Sequence, residues 1–223
     1  MKFYYYSQVK GYLPTNYTRT GVKEAYYNLN IAQMKKASNE GWNKNHFYPD
    51  SKNNYTEKIN VLHLTPDQQK ELSEYAAKVI NQFRSQAGVG SWYYTDEVQS
   101  LANDIATEYQ THHRGIDTDY KSGQVEYRGH YGAGIIRAAA KPGINIDDNY
   151  LEDMASAYLN AYTTFHVNTT MAKAKHAVWY GVMQMLFDGD EYQHAASLLS
   201  AFPDNDEWNE KEYHILFLTL IMN

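Results

Sequence analysis

The chain has 223 residues, 43% of them hydrophobic, with a formal net charge of -6 and no cysteine. That length and apolar content suffice for one large domain, or one domain with an extension. The missing cysteines exclude disulfides, thiolate nucleophiles and Cys-ligated zinc, and the acidic balance argues against nucleic acid as a partner, because nothing offsets phosphate repulsion.

Residues 1–60 are rich in Tyr, Asn and Lys, with turn signals at Gly11, Pro14, Gly41, Pro49 and the cluster 50–54. A short helix is expected over Val22–Ser38 on the spacing of Val22, Ala25, Tyr26, Leu29 and Met34. These 60 residues read as an extension packed on a main domain, 61–223. The first strong helix starts there. Thr65 stands as N-cap, Pro66 at the first helical position and Gln68 three residues after the cap. Leu72, Tyr75, Ala76, Val79, Ile80 and Phe83 recur at helical spacing until Gly88 supplies a stop. A second helix starts at Thr95 and buries Val98, Leu101, Ala102, Ile105 and Tyr109, running out at His112 and His113.

A glycine-punctuated stretch, 115–143, follows and contains GHYGAG at 129–134. A connection this long inside a compact domain usually serves a site. Two more helices are expected: one capped by Asp147 or Asp148 and running through Leu151, Met154, Tyr158 and Phe165, and one over 170–187. Tyr213–Met222 reads as a buried strand, with Ser91–Tyr94 and Ser197–Phe202 as further strand candidates. Several helices with a small sheet make an α+β arrangement. No apolar run reaches the roughly 18 residues of a membrane span. Tyrosine is unusually frequent, with 22 copies. Its flat ring and polar tip suit wet contact surfaces, glycans and partner proteins.

GWNKNHFYPDS (41–51) followed by LTPDQQKELSEYAAKVINQFRSQAG (64–88) resembles the start of the CAP-type domain in surface exclusion proteins of Gram-positive bacteria. CAP denotes the superfamily of cysteine-rich secretory proteins, antigen 5 and plant pathogenesis-related proteins. GHYGAG at 129, DDNYLEDMA at 147, YGVMQMLFDGDEYQHAASLL at 180 and EYHILFL at 212 agree in order. The resemblance implies an α-β-α sandwich, a small antiparallel sheet flanked by about four helices, with an N-terminal extension. It also implies an extracellular or cell-surface location, and a cleft of two histidines and two acids that in some members binds a divalent metal. Residue by residue, His194 resembles the histidine of the family's GH motif, with Gln193 replacing Gly. Glu152 resembles the acid of the YENI or GENI motif, with Asp153 where Asn is usual. His130 and His113 are alternatives for the first histidine, and Asp188, Asp190 and Glu191 for the second acid.

Two imidazoles with carboxylates are a donor set for zinc, which could activate a water with Glu152 as base. That chemistry leaves a metal-assisted hydrolase as an alternative, with His130 and His194 as metal ligands. Against it stand the departures at Gln193 and Asp153, the unassigned second acid and the lack of an HExxH motif. No GxSxG elbow exposes Ser197 or Ser200, GAG at 132–134 is too short for a dinucleotide loop, and DGDE at 188–191 reads as a solvated acidic turn. The leading expectation is a binding module of surface exclusion or adhesion type, with a surface protein, cell-wall polymer or host component as partner. Carriage of a lipid or small apolar ligand is a third expectation, since some family members do this. The opening MKFYYY lacks a secretory apolar region and no anchoring motif follows Asn223, so one module of a longer protein or a secreted piece is expected.

Overall fold

Capping side chains decide where most helices begin. In the computed structural model, which describes residues 11–114, 129–148, 151–155 and 168–202, helix α1 (Arg19–Tyr26) starts behind Thr18, whose hydroxyl accepts from the Gly21 N–H. The single helix expected over 22–38 is two. Asn28 and Asn30 take left-handed φ values of 61° and 53°, a conformation that Asn tolerates better than most residues, and α2 (Ile31–Lys44) restarts in a new direction. Helix α3 (Pro66–Gln86) carries the full capping box, with Thr65 and Gln68 bonded reciprocally. Gly88 follows it at φ 74°. Helix α4 (Asp96–Thr111) is capped by Thr95, and α6 (Met171–Phe187) by Thr170.

Four further expectations fail. Within the glycine-punctuated stretch, 132–140 form a helix, α5 (Gly132–Ala140). Its Gly134 is needed for close packing, since a Cβ there would lie 2.4 Å from the Tyr131 ring. Ser197–Phe202 is not a strand: α7 (Gln193–Leu198), which buries Ala195, Ala196 and Leu198, takes its first two residues, and 199–202 are turn and irregular. Ala and Leu favour helix, and a short apolar run cannot distinguish the two by periodicity. Ser91–Tyr94 is irregular. The Asn81 amide there accepts from the Trp92 N–H and donates to the Trp92 carbonyl, both at 2.8 Å, replacing a neighbouring strand. The helix expected from 147 is absent at 147–148 and 151–155; the rest of it and the strand at 213–222 lie outside the described residues.

The described residues thus hold seven α-helices and a two-stranded antiparallel sheet, an α+β fold with more helices than expected. Strands β1 (Lys58–Asn60) and β2 (Asn168–Thr170) pair Ile59 with Thr169. Helices α1, α2, α3, α6 and α7 enclose one apolar core, including Tyr17, Met34, Phe83, Val178 and Phe187. Gly41 lets α2 approach α6, because a Cβ there would lie 2.4 Å from the Phe187 ring. Helices α4 and α5 enclose a second core with Leu101, Ile105, Tyr109, Ile135 and Leu151.

Candidate functional site

Where the two cores meet, three chain segments bring ionisable groups together. Tyr109, on the last turn of α4, is fully buried. Its hydroxyl donates to Glu152 Oε1 at 2.5 Å and accepts from the Tyr131 N–H at 2.7 Å. Burial, and then the charge of Glu152, hold the Tyr109 phenol well above its ordinary pKa, so it remains a donor. His130, just before α5, places Nδ1 2.8 Å from the same Glu152 oxygen. The Glu152 side chain is buried, whereas that of His130 is 35% exposed. Two donors on one carboxylate oxygen offset the cost of burying its charge.

The facing wall comes from the turn between α6 and α7. Gly189 at φ 80° reverses the chain, and Glu191 then bonds to the start of α7. Its Oε2 accepts from the backbone N–H groups of Gln193 and His194, at 2.5 and 3.3 Å, and its Oε1 lies 2.5 Å from His194 Nδ1. Desolvation opposes the His194 imidazolium, but the hydrogen bond to Glu191 and the charges of Asp153 and Glu191 outweigh it and raise the pKa. Desolvation likewise pushes Glu191 up, and its bond to His194 carries it below the ordinary carboxylate value. Asp153 turns to this side and accepts from Ser197 Oγ at 2.5 Å. Burial raises its pKa, partly countered by His194, Ser197 and His130. The His130 and His194 rings stand 6.4 Å apart between centroids, tilted by 36°.

The structure therefore brings His130, Glu152 and His194 into one recess. His113 sits exposed beyond the end of α4 at φ 50°, and the bond to Glu152 is made by His130. Among the acids, Glu191 pairs with His194, while Asp190 reaches outward to Lys35 at 3.5 Å. Sequence reasoning had no role for Asp153 or Ser197 beside the recess, and treated Tyr109 as core alone. Ser197 bonds to Asp153, and the Ser200 hydroxyl accepts from Arg84 at 3.1 Å, so neither is held by a histidine as a nucleophile would be.

Two imidazoles and a carboxylate are the donor types zinc takes, but their spacing here is wide. A Zn–N bond of about 2.1 Å sets two imidazoles on one tetrahedral ion roughly 5 Å apart between ring centres, closer than the 6.4 Å found. Among the described residues no group of three or more His, Asp or Glu side chains converges as a metal site. The two rings would have to move together by about 1 Å to share one ion.

The fold that holds this recess is that of a CAP domain. Among solved structures the chain is similar to the CAP domain of enterococcal PrgA, with a TM-score of 0.63 and 23% identity over 86% of this chain and 77% of that one. The sequence matches no protein-family model and no curated protein. No described helix is long and apolar enough to cross a membrane.

Proposed function

We propose that the chain is a binding module of an extracellular bacterial surface protein, of surface exclusion or adhesion type, whose partner is a surface protein, a cell-wall polymer or a host component. The observation that carries this reading is the bonding of the recess. Each imidazole is tied through Nδ1 to a carboxylate of its own wall, and among the described residues no hydroxyl nucleophile is shown bonded to either ring. Such a half-exposed, polar, pre-ordered surface suits contact rather than turnover. The likeness to the CAP domain of PrgA supports the same class of role. Fluorescently labelled chain incubated with intact Gram-positive cells, protein-stripped walls and immobilised host matrix tests it. Saturable adherence to one of these surfaces, competed by unlabelled chain, is expected; no adherence to any would overturn the reading.

One observation favours metal-assisted hydrolysis as a second reading. Imidazoles that bind metals generally direct their other ring nitrogen at a carboxylate or carbonyl, as both rings do here through Nδ1. Hydrolysis of casein that depends on added zinc, is lost with chelator and falls in Glu152→Gln would establish it. Equal inactivity of parent and variant would dismiss it.

A further inference from the structure

Helix α4 presents a second polar face, away from the recess. Gln99, Asn103, Ala106 and Gln110 follow one another at steps of four, three and four, so they share one side of the helix. Gln69 and Ser73, one turn apart on α3, look across at them. Between the two helices and the segment 61–64 runs a groove of about 330 Å³, lined by these side chains and by Val61, Leu62, His63 and Leu64, over a floor that includes Leu72 and Ala102. That volume lies at the small end of ligand sites, which span about 300–1,000 Å³. Among the described residues lining it there is no Lys, Arg, Asp or Glu, and His63 is its one titratable side chain.

The amides are already ordered. Ser73 Oγ donates to Gln99 Oε1 at 2.6 Å, Gln99 Nε2 to Asn103 Oδ1 at 3.1 Å, and Asn103 Nδ2 to Gln69 Oε1 at 3.2 Å. This directed chain fixes which end of each carboxamide is oxygen and which is nitrogen, and bonds in series polarise one another. Each carboxamide carries two donor hydrogens and two lone pairs, so a member of the chain keeps donor and acceptor capacity beyond these bonds. The groove continues toward Tyr93 and Tyr94, which line an adjoining hollow together with Ser73 and Gln99. The Tyr93 side chain is among the most exposed large apolar groups described, at 78%.

From this geometry we infer that the α3–α4 groove binds a neutral glycan chain. Uncharged hydroxyl and acetamido groups match fixed, uncharged carboxamides without the desolvation cost of an ion, and a flat exposed ring gives a sugar face a stacking surface. A charged peptide is the poorer match, since among the described lining residues no Lys, Arg, Asp or Glu is present to pair with it. This inference deepens the binding reading and rests on it, naming a polymer class and a face of the molecule separate from the His130–His194 recess.

Calorimetry on the full chain with tetra-N-acetylchitotetraose, cellotetraose and a neutral Gly-Ser octapeptide tests it. At least one oligosaccharide is expected to bind. Asn103→Ala and Gln99→Ala are each expected to weaken binding about tenfold, the loss of one or two hydrogen bonds, and Tyr93→Ala to weaken it by a similar factor, with circular-dichroism melting curves showing each variant folded. Lys36→Ala, at an exposed position of α2 outside the groove, should bind as the parent does. The inference is overturned if neither oligosaccharide binds, if only the peptide binds, or if binding survives Asn103→Ala and Gln99→Ala together. Adherence to cells alongside failure of both oligosaccharides would sink the glycan groove while leaving the binding module standing.

Discussion

The two apolar cores are closed by buried charge in opposite ways. At the edge of the larger core, Lys175 on α6 is 1% exposed. Its ammonium donates to Asp50 Oδ1 at 2.6 Å, Asn54 Oδ1 at 3.0 Å and Glu71 Oε1 at 2.6 Å. All three donor hydrogens of the ammonium are thereby matched inside the protein. At the edge of the smaller core, Glu152 is equally buried, yet one of its donors is a histidine ring that still reaches solvent, and a second such ring faces it. A buried charge is therefore no sign of a site by itself. The Lys175 cluster staples the 50–55 segment to α3 and α6, whereas the Glu152 cluster presents polar groups outward along a seam.

Substitutions should separate these two designs, the stapling cluster responding most. Lys175→Met leaves Glu71 without this cation and Asp50 with only Lys78 at 3.6 Å, and a loss of about 3 kcal/mol is expected by denaturant unfolding, in line with breaking a buried pair from one side. Ile105→Ala in the smaller core should cost about 2–4 kcal/mol through the cavity it leaves. A clearly smaller cost would mean that α4 and α5 pack less tightly than the structure describes. Tyr109→Phe removes a hydroxyl that both donates and accepts, and should cost about 1–2 kcal/mol while leaving the far-ultraviolet circular dichroism unchanged. The Lys175 cluster should not feel it.

Two substitutions at the seam should show a pH signature. His194 has its pKa raised in the fold, so its pair with Glu191 contributes fully below the unfolded histidine value of about 6.5 and fades as pH rises through the folded value. Glu191, with its pKa lowered, contributes above the unfolded carboxylate value of about 4.3 and loses that contribution as pH falls through its folded value. His194→Ala should thus destabilise more at pH 5.5 than at pH 8.5, and an equal loss at both would contradict the pairing. Asp153 behaves in the reverse sense. Its raised pKa means that stability falls as pH climbs from its unfolded to its folded value. Asp153→Asn should therefore raise the melting temperature at pH 7.5 by more than at pH 3.5.

Much of the fold was legible wherever a capping side chain met a periodic apolar face. Thr65, Thr95 and Thr170 each mark a helix start that the structure keeps. Elsewhere local and long-range signals compete. Gly132 and Gly134 suggest a loop, but the buried Ile135, Ala138 and Ala139 hold a helix against α4. The strands β1 and β2 are three residues each and stand more than a hundred residues apart, so no local pattern announces them. For the recess, His130, Glu152 and His194 were reachable only through motif resemblance, because the contacts joining them span 22 to 64 positions. Asp153 and Ser197 stayed hidden for a different reason: their pairing depends on α7 being a helix, and the sequence there suggested a strand.

The seam between the two cores is tested most directly by histidine titration, with imidazole resonances followed by NMR in the parent chain, Glu191→Gln and Asp153→Asn. His194 is expected to titrate above an ordinary histidine in the parent, and to fall in each variant as one supporting charge is removed. A His194 pKa at or below the ordinary value, unmoved by either substitution, would mean that the imidazole does not face those carboxylates and that the recess is not built as described.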